Sequence, residues 1–123
     1  MALNIGKLIS RHFQYVESEL SRIANICRQS GAILKVILEN AYLTDDLKII
    51  ACKICKRTEV DFAKTSTAFA PAGYTPEDLK LMVRIRGGKA KVKPAGALTP
   101  RGRHGAPAWF PNGPASWEPA RRR

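Results

Sequence analysis

Short apolar runs rich in β-branched residues alternate with amphipathic segments along the first 96 residues of the chain. Runs typical of strands are ILKVIL (33–38), VDFAKT (60–65) and AKVKPAG (90–96), and the short apolar run ALNI (2–5) fits a strand or the remnant of one. Between the first two, apolar residues from Phe13 to Cys27 recur at helical spacing, and Gly31 follows as a stop. Strands joined through helices by short connections form right-handed β-α-β units around a parallel sheet. The pattern therefore predicts an α/β fold.

Two further helices have recognisable starts. Thr44 is expected to cap a helix whose first turn contains Asp45 and Asp46, and Thr75 and Pro76 begin another. The run 33–38 is almost wholly apolar, which suits a strand covered on both faces. Four strands are few for this architecture. They fit either an open four-stranded sheet or half of an eight-stranded barrel.

Positive charge is concentrated in the last third of the chain. The formal net charge is +11, but residues 1–83 hold 11 Lys/Arg against 9 Asp/Glu, whereas residues 84–123 hold 10 against a single acid, Glu118. After residue 97 the apolar periodicity ends, and Pro, Gly and Arg dominate. We therefore expect a folded domain over 1–96 and a disordered basic tail over 97–123. An alternative function follows, a small basic nucleic-acid-binding module acting through this tail.

The cysteines and the apolar segments exclude several classes of protein. Three cysteines form no disulfide framework, and Cys52 and Cys55 have the spacing of half a zinc site without a second half. Because Cys55 also falls on the apolar stripe of a helix, we expect packing here and no metal, with zinc binding as the alternative. No apolar stretch is long enough to span a bilayer, and the start is too short for a secretory signal. We expect a cytoplasmic protein with no cofactor.

Three lysines lie in or at the ends of consecutive strands, namely Lys35, Lys64 and Lys93. In parallel α/β folds, reactive groups gather at the C-terminal ends of the strands. A lysine in a dry site near a second cation loses its proton more easily, and the neutral amine can form a Schiff base with a carbonyl. The alternative interpretation is that these are solvated strand-end lysines.

Five segments resemble, in order and spacing, the deoxyribose-phosphate aldolase family: ALNIGKL, LKVILENAYLTDD, DFAKTSTAF, GYTPEDLKLM and KVKPAG. The resemblance covers about residues 2–96 and implies part of a (β/α)₈ TIM barrel, about four β/α units. It also implies a carbon-carbon lyase that reversibly cleaves 2-deoxyribose 5-phosphate to acetaldehyde and glyceraldehyde 3-phosphate without a metal. The expected partners are thus a phosphorylated sugar and an aldehyde. No specific nucleic acid and no membrane are expected, and a homo-oligomer is expected by family.

The resemblance also assigns roles to particular residues. Lys64 matches the Schiff-base lysine, Lys93 the lysine that perturbs it, and Lys35 a third lysine near the site. We expect substrate contacts from Lys35 and from the residues Thr65, Ser66, Thr67 and Gly96.

Several features depart from the family pattern. Ala68 and Ala97 stand where the family usually has glycine, and the family's aspartate on the strand before the NIG segment has no counterpart. We interpret the chain as a truncated fragment with an aberrant, frameshifted tail, and expect it to be weakly active or inactive.

Overall fold

A computed structural model of the chain describes residues 1–70, 73–86 and 91–95. Its helices are α1 (Ile5–Ile9), α2 (Phe13–Gln29), α3 (Asp45–Arg57) and α4 (Pro76–Arg86), and a 3₁₀ turn spans Asn40–Tyr42. Its strands are β1 (Lys35–Ile37), β2 (Phe62–Lys64) and β3 (Lys91–Lys93). Strand and helix alternate from β1 to β3, so the predicted α/β order is confirmed.

The three strands form a parallel sheet in sequence order, β1-β2-β3. A parallel bridge between Ala2 and Ile37 adds the N-terminal segment beside β1. Two hydrogen bonds of 2.9 Å hold it there, from Leu3 N–H to the Ile37 carbonyl and from Ile37 N–H to the Met1 carbonyl. Four parallel segments therefore lie side by side, which agrees with about four β/α units of a partial barrel.

One face of the sheet packs against the helices. Val36, Ala63 and Val92 occupy matching positions on the three strands and are all buried. Against them lie buried residues of the helices, including Leu20, Ala51, Ile54, Leu79 and Met82. Fully burying an aliphatic side chain contributes about 1.5–3 kcal/mol, so this layer is the main source of stability.

The helix ends follow the expected chemistry at some positions only. The Thr75 hydroxyl accepts a hydrogen bond from Asp78 N–H at 3.1 Å, as a helix cap does. Thr44 precedes α3 but donates its hydroxyl to the Asp46 carboxylate, and no backbone N–H of α3 is capped by it. Gly31, after α2, has φ +65°, a conformation in which a side chain would be strained.

The segment 2–5, expected to be a strand or its remnant, forms a single parallel bridge at Ala2, because Asn4 caps α1 by accepting a hydrogen bond from Lys7 N–H. The expectation for the next run was wrong. The run 33–38 is covered on one face only. Leu34, Val36 and Leu38 are buried, whereas Ile33 is 61% exposed, because the described residues place helices on just one side of the sheet.

In the part of the chain that the structure describes, no helix combines the length and the apolar character that a bilayer crossing requires.

Candidate active site

The face of the sheet opposite the helices carries a row of lysines. Lys64 on β2 is the register partner of Lys93 on β3, and Phe62 is the partner of both Lys35 and Lys91. Register partners on parallel strands project to the same side, about 4.8 Å apart at the backbone. We call Lys35, Lys64, Lys91 and Lys93 the lysine face. The sheet thus brings together the three lysines predicted from the sequence and adds Lys91.

Phe62 lies in the middle of the lysine face. The Lys35 Nζ lies 5.5 Å from the centre of its ring, and the Lys91 Nζ lies 6.0 Å from it. A cation at such a distance is attracted to the ring by about 0.5–1 kcal/mol when partly exposed. The ring therefore holds two ammonium groups on the side of the sheet where Lys64 and Lys93 project.

Lys93 has an altered protonation equilibrium. Partial burial lowers the pKa of Lys93, and the positive charges of Lys35 and Lys64, together with a hydrogen bond with Lys35, lower it further. This is the mutual effect expected of amines gathered in one place, since each charge disfavours the next. The lysines thus influence each other electrostatically, which isolated strand-end lysines would not do.

The hydroxyls of Thr65 and Ser66, which follow Lys64, form hydrogen bonds with backbone groups of nearby residues. Thr65 is fully buried, and its hydroxyl accepts from Ala95 N–H at 2.9 Å and contacts the Ala95 carbonyl at 3.3 Å. The Ser66 hydroxyl accepts from Ala68 N–H at 3.0 Å. These contacts tie the end of β2 to the end of β3 and shape the loop. A substrate contact by Thr65, Ser66 or Thr67 stays a prediction.

Glu39 contributes a contact that the sequence alone did not indicate. This residue, 6% exposed at the end of β1, accepts hydrogen bonds through Oε2 from both the backbone N–H and the hydroxyl of Thr67. The partners are 28 positions apart, so no local pattern reveals them. The only available signal was a carboxylate directly after an apolar strand.

Some predicted features lie outside the described residues. Gly96 and the tail 97–123 are among these, so the substrate contact at Gly96, the disordered tail and its frameshift stay predictions.

The cysteine pair lies on the buried side of α3. Cys52 and Cys55 are fully buried, and burial raises the pKa of each thiol to about 12. Thiolates are the form that binds zinc, and burial disfavours that charged form at both cysteines. Within the described residues, no group of three His, Cys, Asp or Glu side chains is placed to hold a metal ion. Their observed contacts are those of core residues.

Comparison with known proteins relates the chain to one enzyme family. It is 39% identical over 98 residues to the deoxyribose-phosphate aldolase of Thermococcus kodakarensis, and 44% identical over 99 residues to that of Caldanaerobacter subterraneus. Each alignment covers 80% of this chain. The chain is a relative of the deoxyribose-phosphate aldolases. No family profile matches it.

Solved structures agree with this relationship. An aldolase named QR15 superposes with a TM-score of 0.70 at 36% identity over 79% of this chain. A proposed deoxyribose-phosphate aldolase from Coccidioides immitis gives a TM-score of 0.74 at 30% identity over 80%. The predicted family resemblance and partial aldolase fold are therefore confirmed.

The relationship is partial in length. The chain spans 44% of the Thermococcus deoxyribose-phosphate aldolase and 43% of the Caldanaerobacter enzyme. It likewise spans 43% and 39% of the two solved structures. The names of these relatives give no support to nucleic-acid binding.

Proposed function

We propose that this chain carries the Schiff-base portion of a deoxyribose-phosphate aldolase site, with Lys64 as the nucleophile. The observation that carries the proposal is the direct register of Lys64 with Lys93 on one face of the sheet. An amine must lose a proton before it can attack a carbonyl, and a neighbouring cation promotes that loss. Lys93 lies beside Lys64 in the register of β2 and β3, so their amines project from the same face of the sheet.

The proposed reaction at Lys64, in the direction of synthesis, begins with the amine. The neutral amine adds to the carbonyl carbon of acetaldehyde, and loss of water gives a protonated imine. Removal of a proton from the neighbouring carbon gives an enamine, whose carbon attacks the aldehyde of glyceraldehyde 3-phosphate. Hydrolysis of the resulting imine releases 2-deoxyribose 5-phosphate and restores Lys64. The cleavage reaction runs through the same steps in reverse.

We expect this chain by itself to form the imine but to turn over weakly or not at all. The chain spans only 39–44% of the relatives described above. Imine formation needs a reactive amine, whereas turnover also needs proton transfer and a site for the phosphate. Catalysis in the cytoplasm, as part of a homo-oligomer, is the setting that we propose by family.

Trapping with borohydride tests the proposal. Incubation with acetaldehyde and borohydride is expected to place an ethyl group on Lys64, located by peptide mass mapping. A Lys64→Met variant should lose this adduct, whereas Lys53→Met, which removes an exposed lysine of α3, should keep it. Equal labelling of Lys53 and Lys64 would show ordinary surface reactivity and refute the nucleophile assignment. Turnover of 2-deoxyribose 5-phosphate at the rate of a complete aldolase would refute the expectation of weak activity.

A further inference from the structure

The backbone around Lys64 is held by the end of β1. Leu38 N–H donates to the Lys64 carbonyl at 2.9 Å, and Asn40 N–H donates to the Thr65 carbonyl at 2.8 Å. Glu39 lies between these two donors in sequence and adopts a left-handed conformation, with φ 41°. A non-glycine residue seldom adopts this conformation, which is strained unless its surroundings impose it. The strained residue is thus the one whose side chain reaches the loop after Lys64.

The Glu39 carboxylate organises that loop through Thr67. Its Oε2 accepts from Thr67 N–H at 3.1 Å and from the Thr67 hydroxyl. The same hydroxyl oxygen accepts from Phe69 N–H at 3.2 Å. A chain of hydrogen bonds therefore runs from Phe69 through Thr67 to Glu39. Hydrogen bonds to an ionised acceptor are stronger than neutral ones, so a single buried carboxylate fixes several residues of the loop.

The second oxygen of the carboxylate is not used for this purpose. Glu39 Oε1 is buried and has no hydrogen-bond partner among the described residues. A buried polar atom without a partner carries an uncompensated desolvation cost. A glutamate at this place thus stabilises the loop at a cost that an apolar residue would avoid, which indicates a role in ordering the loop.

We propose that Glu39 is a positioning residue for Lys64: its carboxylate orders the loop 65–69 and thereby fixes the backbone from which the Lys64 amine projects. The consequence for chemistry rests on the proposed function, whereas the ordering of the loop does not. Effective attack on a carbonyl requires the amine to be held in place, and small displacements are costly in rate.

Two substitutions at Glu39 distinguish the loss of its hydrogen-bond acceptor from the loss of its negative charge. Glu39→Ala removes the acceptor, whereas Glu39→Gln keeps an oxygen for Thr67 and places an amide group where Oε1 stands. We expect hydrogen exchange of the Thr67 and Phe69 amides to accelerate at least tenfold in Glu39→Ala and to stay within about twofold of the parent in Glu39→Gln. Exchange in α2, which is remote from the contact, should be unchanged in both.

Trapping of the acetaldehyde imine at Lys64 supplies the chemical measurement. The trapping rate should fall about tenfold in Glu39→Ala and recover in Glu39→Gln, at temperatures where far-ultraviolet circular dichroism shows both variants folded. If Glu39→Ala does not fold, Thr67→Val removes the hydroxyl that links Glu39 to Phe69 N–H and should slow trapping at Lys64. Unchanged trapping in this variant overturns the positioning role.

The outcomes distinguish the two proposals. Unchanged loop exchange in Glu39→Ala, or accelerated exchange without slower trapping, overturns the positioning role. If the parent chain gives no adduct at Lys64, the aldolase proposal fails, and the exchange data still decide whether Glu39 orders the loop.

Discussion

At the residue scale, Ala68 shows a conflict between backbone and side chain. Its φ is 77°, in the left-handed region. A Cβ in this region meets the following carbonyl oxygen, at a cost of roughly 1–2 kcal/mol. The conformation persists because Ala68 N–H donates to the Ser66 hydroxyl and the flanking loop is held by Glu39.

Ala68→Gly is therefore expected to stabilise the protein. Relief of the left-handed strain exceeds the greater unfolded-state entropy of glycine, which is about 0.4–1 kcal/mol, and leaves a gain of roughly 0.5–1 kcal/mol in the free energy of unfolding. Urea denaturation measures this change. Ala70→Gly is the matched control, because Ala70 is not among the described residues with positive φ, and it should destabilise. A loss of stability in Ala68→Gly would show that the loop relaxes in solution.

At the element scale, a partly buried ion pair joins α3 to α4. Lys48 Nζ lies 2.6 Å from an Asp78 oxygen, and the two side chains are 12% and 11% exposed. Burial opposes the charge on Lys48, but hydrogen bonds to Asp78 and Asp45 outweigh it and raise the pKa of Lys48. The pair thus fixes the two helices that cover β2 and β3.

Asp78→Asn should weaken this junction. It leaves the Lys48 ammonium without its buried partner, at a cost of about 1–3 kcal/mol. Asp45→Asn is the control, since Asp45 is 80% exposed and its loss should cost at most about 0.5 kcal/mol.

Because the folded-state pKa of Lys48 is raised above 10.5, the stabilising contribution of its ion pair is present below pH 10.5 and lost as the pH rises through the folded-state value. Urea denaturation at pH 7 and at about pH 11 should therefore show the difference between parent and Asp78→Asn shrinking; a constant difference would contradict the assignment.

The elements also show how far sequence reasoning extends. Apolar spacing located α2 and α3, because residues three and four apart share a helix face. The placement of Lys64 and Lys93 on neighbouring strands followed from strand order, whereas their direct register was not predicted. The short helix α1 was missed, since its apolar residues also fit a strand and its signal was only the capping side chain of Asn4. The Glu39–Thr67 contact depends on how two loops meet, which no pattern within one segment encodes.

At the scale of the whole molecule, the sheet has two outermost segments among the described residues and one cationic face. Within the described residues, the segment at Ala2 and strand β3 are the outermost parts of the sheet. Unpaired strand edges favour pairing with another chain. The lysine face opposes such pairing, because two copies would bring their ammonium groups together, and the whole chain carries a formal net charge of +11. The balance between edge pairing and repulsion should therefore depend on salt.

Self-association is expected to increase with ionic strength. The screening length falls from about 10 Å at 0.1 M salt to about 3 Å at 1 M, so repulsion between lysine faces weakens while backbone pairing and apolar contact persist. Sedimentation velocity should show a larger weight-average mass at 1 M sodium chloride than at 0.1 M.

The Lys91→Glu variant lowers the charge of the lysine face and should associate already at 0.1 M. Lys53→Glu makes the same change on the exposed side of α3 and should behave more like the parent. If mass falls with salt, or if the two variants behave alike, the lysine face does not control association and the net charge of the chain accounts for its solubility.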